Sequence, residues 1–223
     1  MSVVVAFVSK KGGVGKSTLA RALATVAVRR GLLTTLADLD SEQQTTTRWH
    51  RLRERNAVLP PITVKAFDNA DGAVASEQDV DLLILDAPGH APRETLEVVS
   101  VAHLIVQPSG AGFDDLQPAV DLFYQLAAAG VAKSRLLMVL SRMLDADEEE
   151  AARAYIEVAD FKFLPGSVTE RARYRDAHNR GLAFIESSGE DLNAAAAVAL
   201  GSILTLVVQK LAIHPSHRSP IAS

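Results

Sequence analysis

Residues 9–18 read SKKGGVGKST, a glycine-rich stretch that follows the apolar run VVVAFVS and precedes an amphipathic helical pattern. This order is typical of a Walker A phosphate-binding loop, G-x-x-x-x-G-K-[ST], whose backbone N–H groups and helix N-terminus surround an anion. Gly15, Lys16 and Ser17 fit the pattern, whereas Lys10 stands where the first glycine is expected. The stretch therefore predicts a nucleotide phosphate site, the alternative being a glycine-rich turn before an ordinary helix.

The loop also contains one lysine more than phosphate binding requires. Lys16 is expected to reach the β- and γ-phosphates, and the Ser17 hydroxyl to ligate Mg²⁺. Lys11, at the mouth of the loop, either has a different partner or is a solvated loop lysine. The predicted nucleotide-binding residues are Lys11, Gly12, Gly13, Val14, Gly15, Lys16, Ser17 and Thr18.

The composition is that of a soluble globular protein, with 48% hydrophobic and 22% charged residues in 223. A formal net charge of −4 argues against a globally basic nucleic-acid binder, although a local basic patch stays open. The absence of cysteine excludes disulfides, thiolate zinc sites and cysteine-ligated iron–sulfur clusters. Since neither a signal peptide nor an uninterrupted membrane span is recognisable, we expect a cytoplasmic protein.

Short apolar runs alternate with helical patterns along the chain, which predicts a mostly parallel, doubly wound sheet flanked by helices. Seven strands are expected, within VVVAFVS, LTTLADLD, ITVKAF, DLLILDA, HLIVQP, RLLMVLSR and FKFLP. Helices are expected over 16–30, 45–56, 93–102, 116–129, 147–158, 169–179 and 193–212, with Gly31, Gly130 and Gly181 at helix ends. We expect one domain over residues 1–213 and a disordered tail over 214–223.

Two predicted strands end in carboxylates. Asp38 and Asp40 are two residues apart, so they are expected on one side of the second strand, facing the phosphate loop if that strand neighbours the first. The fourth strand ends in Asp86, at the carboxyl edge where open α/β sheets bind ligands. Such carboxylates would hold Mg²⁺ through water or orient an attacking water, the alternative being solvated aspartates at strand ends.

The pattern K-G-G-x-G-K-[ST] resembles the deviant Walker A loop of the ParA/MinD family of ATPases, and within it the small partition ATPases that have no N-terminal helix-turn-helix domain. The resemblance implies a P-loop NTPase fold, with ATP or ADP and Mg²⁺ as cofactors. It also implies an ATP-dependent homodimer in which Lys11 reaches the partner's phosphates. Lys11, Lys16 and Asp40 would be catalytic, with Asp40 positioning the water, and Ser17, Asp38 and Asp86 would serve the metal. The chain departs from the family's D-x-D-P-Q motif, because Ser41 replaces the proline.

The same resemblance implies a function. Family members bind nonspecific nucleoid DNA as dimers and drive plasmid or chromosome partition, with hydrolysis stimulated by a small centromere-binding or cargo-adaptor protein. The candidate DNA contacts are Arg171, Arg173, Arg175 and Arg180, which could equally form a solvated helix face. Three alternatives stay open: an ATPase that positions a chemoreceptor cluster or carboxysome, a MinD-like membrane ATPase, and a metabolic ligase. The membrane alternative is disfavoured because helix 193–212 has one lysine and little polar surface, so no membrane partner is expected.

Overall fold

The computed structural model describes residues 2–89, 92–187 and 193–213. Seven strands form one sheet in the order β3-β2-β4-β1-β5-β6-β7, and every neighbouring pair is parallel. This confirms the predicted α/β fold with its parallel sheet. The strands are β1 (Val3–Phe7), β2 (Thr34–Asp38), β3 (Thr63–Ala66), β4 (Leu82–Asp86), β5 (Leu104–Ser109), β6 (Leu136–Met143) and β7 (Lys162–Thr169).

Helices cover both faces of the sheet. Within the described residues they are α1 (Lys16–Arg29), α2 (Thr45–Arg55), α3 (Ala70–Ser76), α4 (Pro92–Val101), α5 (Phe113–Ala128), α6 (Ala146–Val158), α7 (Ala172–Asn179) and α8 (Ala194–Ile213). A short 3₁₀ turn at Phe184–Glu186 joins α7 to the segment before α8. Gly31, Gly130 and Gly181 follow helices with φ of 80°, 91° and 75°, a backbone conformation that favours glycine at helix ends.

The sheet separates two hydrophobic cores. Val5 and Phe7 of β1 pack with residues of α1 and α8, whereas Val4 and Ala6 pack on the other face with residues of α4 and α5. Both faces of the central strands are therefore buried, which explains why their sequences are continuous apolar runs rather than alternating patterns. Asp38 and Asp86 are the last residues of β2 and β4, so they lie at the carboxyl edge of the sheet.

The structure corrects three details of the sequence interpretation. Helix α3 was not predicted, because its seven residues are too few to show a clear helical period. Helix α7 begins at Ala172 rather than Thr169, since β7 continues to Thr169 and pairs there with Met143. Strand β2 does not neighbour β1, because β4 lies between them. The tail over 214–223 lies outside the described residues, and the single domain over 1–213 stays a prediction.

Helix α8 is long and apolar enough to cross a bilayer by length and composition, the one such helix among the described residues, with a mean hydropathy of 1.9. Its buried face, which includes Leu200, Ile203 and Val207, packs on the sheet core. Val198 and Val208, on the other side, are about half exposed, at 51% and 53%. One face of α8 is therefore buried against the sheet.

Candidate nucleotide-binding site

The loop between β1 and α1 has the conformation of an anion cradle. Gly13 and Gly15 have φ of 77° and 102°, and a Cβ placed on Gly13 would meet no atom within 4 Å. Gly15 is the residue before α1, so the loop ends at a helix N-terminus. The Ser141 hydroxyl at the end of β6 donates a 2.7 Å hydrogen bond to the Val14 carbonyl, which anchors the loop to the sheet.

Lys16 lies inside this cradle, partly buried. Its ammonium nitrogen would be 3.5 Å from a Cβ built on Gly89, in the segment after β4. Burial lowers the pKa of Lys16, and the nearby carboxylates of Asp86 and Asp40 oppose that change. Lys16 is thus partly desolvated and lies near carboxylates at the edge of the sheet. Such a lysine is suited to binding a phosphate.

Asp86 and Asp38 are register partners at the ends of the adjacent strands β4 and β2. Asp86 is 3% exposed; its Oδ2 accepts a 2.7 Å hydrogen bond from the Thr46 hydroxyl, and Ser17 also donates to the carboxylate. Burial raises the pKa of Asp86, against the effect of these hydrogen bonds. The other oxygen, Oδ1, is buried without a partner among the described residues. An unused buried oxygen beside Ser17 fits a water-mediated contact to a cation.

Asp38 is held by its own chain. Its Oδ2 accepts hydrogen bonds of 2.8 Å from both the backbone N–H and the hydroxyl of Thr47, and its Oδ1 accepts one of 3.2 Å from the backbone N–H of Asp40. Asp40 lies beyond the end of β2, where its Oδ1 accepts a 2.8 Å bond from the Gln43 N–H. Because Asp40 lies outside the strand, the alternation of side chains along β2 does not explain its position. The Asp40 carboxylate is nevertheless close enough to Lys16 to oppose the lowering of its pKa.

The first turn of α2 links the two acidic positions to a buried arginine that sequence reasoning missed. Arg21 of α1 is 5% exposed and its Nε donates a 3.1 Å hydrogen bond to Thr46 Oγ1. Because that oxygen accepts from Arg21, its own proton is free for Asp86. The guanidinium groups of Arg21 and Arg53 lie over the Trp49 ring, 5.4 and 5.5 Å from its centroid. The sequence feature that could have indicated these contacts is the run of three threonines, 45–47, shortly after Asp38 and Asp40.

Lys11 lies outside the cradle formed by its own loop. Its ammonium group pairs with the Asp115 carboxylate and donates a 3.1 Å hydrogen bond to the Asp114 carbonyl, both at the start of α5. The Lys11 side chain is 44% exposed and that of Asp115 is 19% exposed. The structure thus separates the two lysines of the motif, one turned into the loop and one held at the surface.

A cavity of about 390 Å³ opens beside the phosphate loop, and it contains two of the arginines proposed for DNA. Arg171 and Arg175 line it together with Gly13, Gly15 and Thr18. Arg171 precedes α7 with extended backbone, so the predicted i, i+4 helical spacing does not relate the two arginines. Its position beyond the loop and its mixed lining suit the base and sugar of a nucleotide. Arg173 and Arg180 are exposed and do not line this cavity.

His178, which lines the same cavity, gives a pH-dependent prediction. Burial, with a smaller effect from Arg21, lowers its pKa from 6.5 to about 4. Between these values the unfolded chain binds a proton that the folded chain does not, so folding stability should fall as pH falls through this window. The melting temperature should therefore drop less between neutral pH and pH 5 in His178→Phe than in the wild type. Equal drops in the two proteins would contradict a buried neutral histidine.

A Mg²⁺ ion fits the donor set of this site only together with a nucleotide. Among the described residues no group of three or more histidines, cysteines, aspartates or glutamates is close enough to hold a metal ion alone. Mg²⁺ commonly uses one or two carboxylates, waters and substrate phosphates. The unpartnered Oδ1 of Asp86 and the Ser17 hydroxyl are the groups that would complete such a shell.

Comparison with known proteins gives the family. A family model described as the CobQ/CobB/MinD/ParA nucleotide binding domain matches residues 5–184. Among curated proteins no sequence matches significantly. Apo McdA of Cyanothece is 19% identical with a TM-score of 0.71 and 92% of this chain and 100% of that chain covered. MinD of Pyrococcus horikoshii with Mg-ADP is 17% identical, with a TM-score of 0.73 and coverages of 98% and 100%.

A third solved structure, from Borrelia burgdorferi, is described as a plasmid partition protein bound to AMPPNP. It is 16% identical to this chain, with a TM-score of 0.67 and coverages of 94% and 99%. These similarities in fold agree with the family model, which matches most of the chain. The chain therefore belongs to the CobQ/CobB/MinD/ParA family of nucleotide-binding domains, with the parallel P-loop fold of MinD and ParA-like ATPases.

Proposed function

We propose that this protein is a Mg²⁺-dependent ATPase that dimerises on ATP, binds nonspecific DNA and drives plasmid or chromosome partition. The observation that carries the proposal is the separation of the two lysines in one loop. Lys16 occupies the cradle, whereas Lys11 is held outside it by Asp115, at a half-exposed position from which it can reach a second protomer. Such a cation gains its best partner, a phosphate, only when another nucleotide-bound copy docks.

Within each protomer the residues divide the work of phosphoryl transfer. Lys16 and the loop N–H groups would hold the phosphates, while Ser17 and Asp86 would serve the metal, which neutralises phosphate charge when bound. Asp40, partly exposed and close enough to Lys16 to affect its pKa, would orient the attacking water. Lys11 from the partner would add positive charge where negative charge develops, as an arginine finger does.

The proposed partners follow from this cycle. The dimer would bind nucleoid DNA in the cytoplasm, and a small centromere-binding protein would stimulate hydrolysis and release it. The same cycle would serve an ATPase that positions a protein cargo, because the adaptor decides which cargo is bound. The similarity to McdA and to a plasmid partition protein supports a shared fold and does not distinguish between the two kinds of cargo.

Asp40→Ala in the presence of ATP and Mg²⁺ is the test. We expect the wild type to dimerise with ATP but not with ADP. The variant should hydrolyse ATP about 100-fold more slowly, since general acid–base assistance by a positioned side chain contributes about this much. The variant should therefore persist as a DNA-binding dimer. Light scattering measures the mass, phosphate release the rate, and a gel shift with random-sequence duplex the binding.

Matched conditions separate the steps. ADP with Mg²⁺ is the control for dimerisation, and Asp40→Asn retains the size of the side chain without its charge. A wild-type protein that stays monomeric with ATP, or that dimerises and binds no duplex at low salt, would contradict the proposal.

A further inference from the structure

Helix α2 is rich in arginine, and three of its arginines are exposed. Four of its eleven residues, Arg48, Arg51, Arg53 and Arg55, are arginines, in a chain whose formal net charge is −4. By contrast, Arg171 and Arg175 of the predicted DNA surface line the cavity beside the phosphate loop. A bound nucleotide would compete with DNA for those two, so other cations are needed.

Helical geometry places three of the α2 arginines in one row. Thr46, Trp49 and Arg53 are buried and define the inner face of the helix. Arg48, Arg51 and Arg55 are exposed, and their i, i+3, i+7 spacing puts them together on the opposite side. We refer to Arg48, Arg51 and Arg55 as the α2 arginine row.

The row lacks the acidic partners that a solvated helix face usually has. Among the described residues no carboxylate forms an ion pair with any of its three arginines. Arg48 donates to the Gln43 carbonyl, an uncharged acceptor. Glu54 is the one carboxylate within α2, and it lies 3.7 Å from His50. Three charges of one sign repel each other, so an external anion would relieve the repulsion.

The row continues onto the end of α7. The Asn56 side-chain amide, directly after α2, donates a 3.0 Å hydrogen bond to the Arg180 carbonyl. A Cβ built on Gly181 would lie 2.4 Å from the backbone nitrogen of Arg53, so the two chain segments are in direct backbone contact. Arg180 precedes Gly181 and is exposed, and Arg55 precedes Asn56 and is also exposed. Each arginine is therefore adjacent in sequence to a residue of this junction.

The opposite end of α2 is fixed to the nucleotide site. Thr46 donates to Asp86 and Thr47 to Asp38, with bonds of 2.7 and 2.8 Å. A change in the contacts of these carboxylates when a nucleotide and metal bind would therefore act directly on the helix that carries the row. This attachment gives a physical route by which nucleotide state would affect a charged surface.

We propose that the α2 arginine row, together with Arg180, contacts the phosphate backbone of duplex DNA. Arg48 and Arg55 are seven residue steps apart, about 10 Å along the helix axis, which matches about three phosphates of one strand. Arginine contacts to phosphates carry no sequence information, so binding would be nonspecific. The inference rests on the proposed function and adds the surface that performs its DNA-binding step.

The test is the triple variant Arg48→Gln, Arg51→Gln, Arg55→Gln with ATP and Mg²⁺. Its affinity for a random-sequence duplex is measured by fluorescence anisotropy between about 50 and 200 mM salt. We expect the slope of log K against log salt to become shallower by about 3 per protomer, and binding at low salt to weaken at least about 100-fold. ATP-dependent dimerisation should be retained, which shows that the variant folds.

A second triple variant, Arg30→Gln, Arg93→Gln, Lys162→Gln, makes the same charge change at exposed positions outside α2 and α7, and should keep the wild-type slope. If the α2 variant dimerises on ATP and binds duplex with the wild-type slope, the α2 assignment is overturned and the proposed function stands. If the wild type dimerises but binds no duplex, the proposed function fails at its DNA step. Row-dependent binding to phosphatidylserine vesicles without DNA binding would also overturn the assignment, in favour of a membrane surface.

Discussion

Lys11→Ala should abolish ATP-dependent dimerisation while ATP binding by each protomer is retained. In the proposed dimer each Lys11 donates to the phosphates of the other protomer, and in the single chain its ammonium group contacts Asp114 and Asp115. A charge-assisted hydrogen bond contributes about 1.5–3 kcal/mol, so losing two per dimer should weaken dimerisation by about 100- to 10,000-fold. Sedimentation velocity with ATP measures the dimer, and a fluorescent ATP analogue measures nucleotide binding.

Lys10→Ala is the matched control, because Lys10 is adjacent to Lys11 and similarly exposed. The contacts with Asp114 and Asp115 are formed by Lys11. The Lys10→Ala variant should dimerise like the wild type. Asp115→Asn separates the two partners of Lys11: it removes the ion pair within the chain and leaves the lysine free for the second protomer. If Lys11→Ala dimerised as tightly as the wild type, the reciprocal contact would be wrong and Lys11 would be a loop residue held by Asp115 alone.

The sequence predicted the fold because its main signals are local. Strands β1 to β4 lie within the expected runs, whereas β5 and β6 extend one residue and β7 four residues beyond theirs. The central strands were predictable because strands buried on both faces are continuously apolar. The phosphate loop was equally predictable, because its glycines are required by the backbone: φ of 77° at Gly13 and 102° at Gly15. Short-range constraints of this kind leave a readable pattern.

The order of the strands depends on packing over long sequence distances, and it was less predictable. Strand β4 lies between β2 and β1 because of the crossover connections. No residue within β2 indicates this order. The same insertion makes Asp38 and Asp86 register partners, so both carboxylates reach the site although β2 does not touch β1. The two carboxylates therefore lie at the same edge of the sheet for a different geometric reason than the one expected.

The polar support of the site was missed altogether. Arg21 is an arginine in an amphipathic helix, and nothing in its local sequence distinguishes a residue that is 5% exposed and bonded to Thr46 from one on the surface. Likewise, α2 contains four arginines, of which Arg53 faces inward and the other three face outward. Their local sequence does not distinguish the buried one. Partners decide these roles, and the partners are distant in sequence: Glu186 pairs with Arg53 across 133 positions.

Glu186→Gln should be the most destabilising single change outside the nucleotide site. The Glu186 and Arg53 side chains are 3% and 2% exposed; they are joined by hydrogen bonds of 2.6 and 3.0 Å, and Glu186 also accepts from the Ala183 backbone N–H. Removing one member of a buried pair leaves an uncompensated charge and costs about 3–5 kcal/mol. For a chain of this length that corresponds to a fall in melting temperature of about 10 °C.

Arg29→Gln is the matched control, since Arg29 bonds the same carboxylate at 2.9 Å but its side chain is 45% exposed. Exposed pairs contribute less than about 1 kcal/mol, so this variant should melt within about 4 °C of the wild type. The difference between the two variants tests burial rather than charge alone. If both lost the same stability, or if Glu186→Gln melted like the wild type, water would have to reach Arg53. The ion pair would then contribute little to the junction between α2 and the segment after α7. The Arg53 bond to the Gly181 carbonyl at 3.2 Å, the Trp49 bond to Leu182 and the Asn56 bond to Arg180 would stabilise that junction instead.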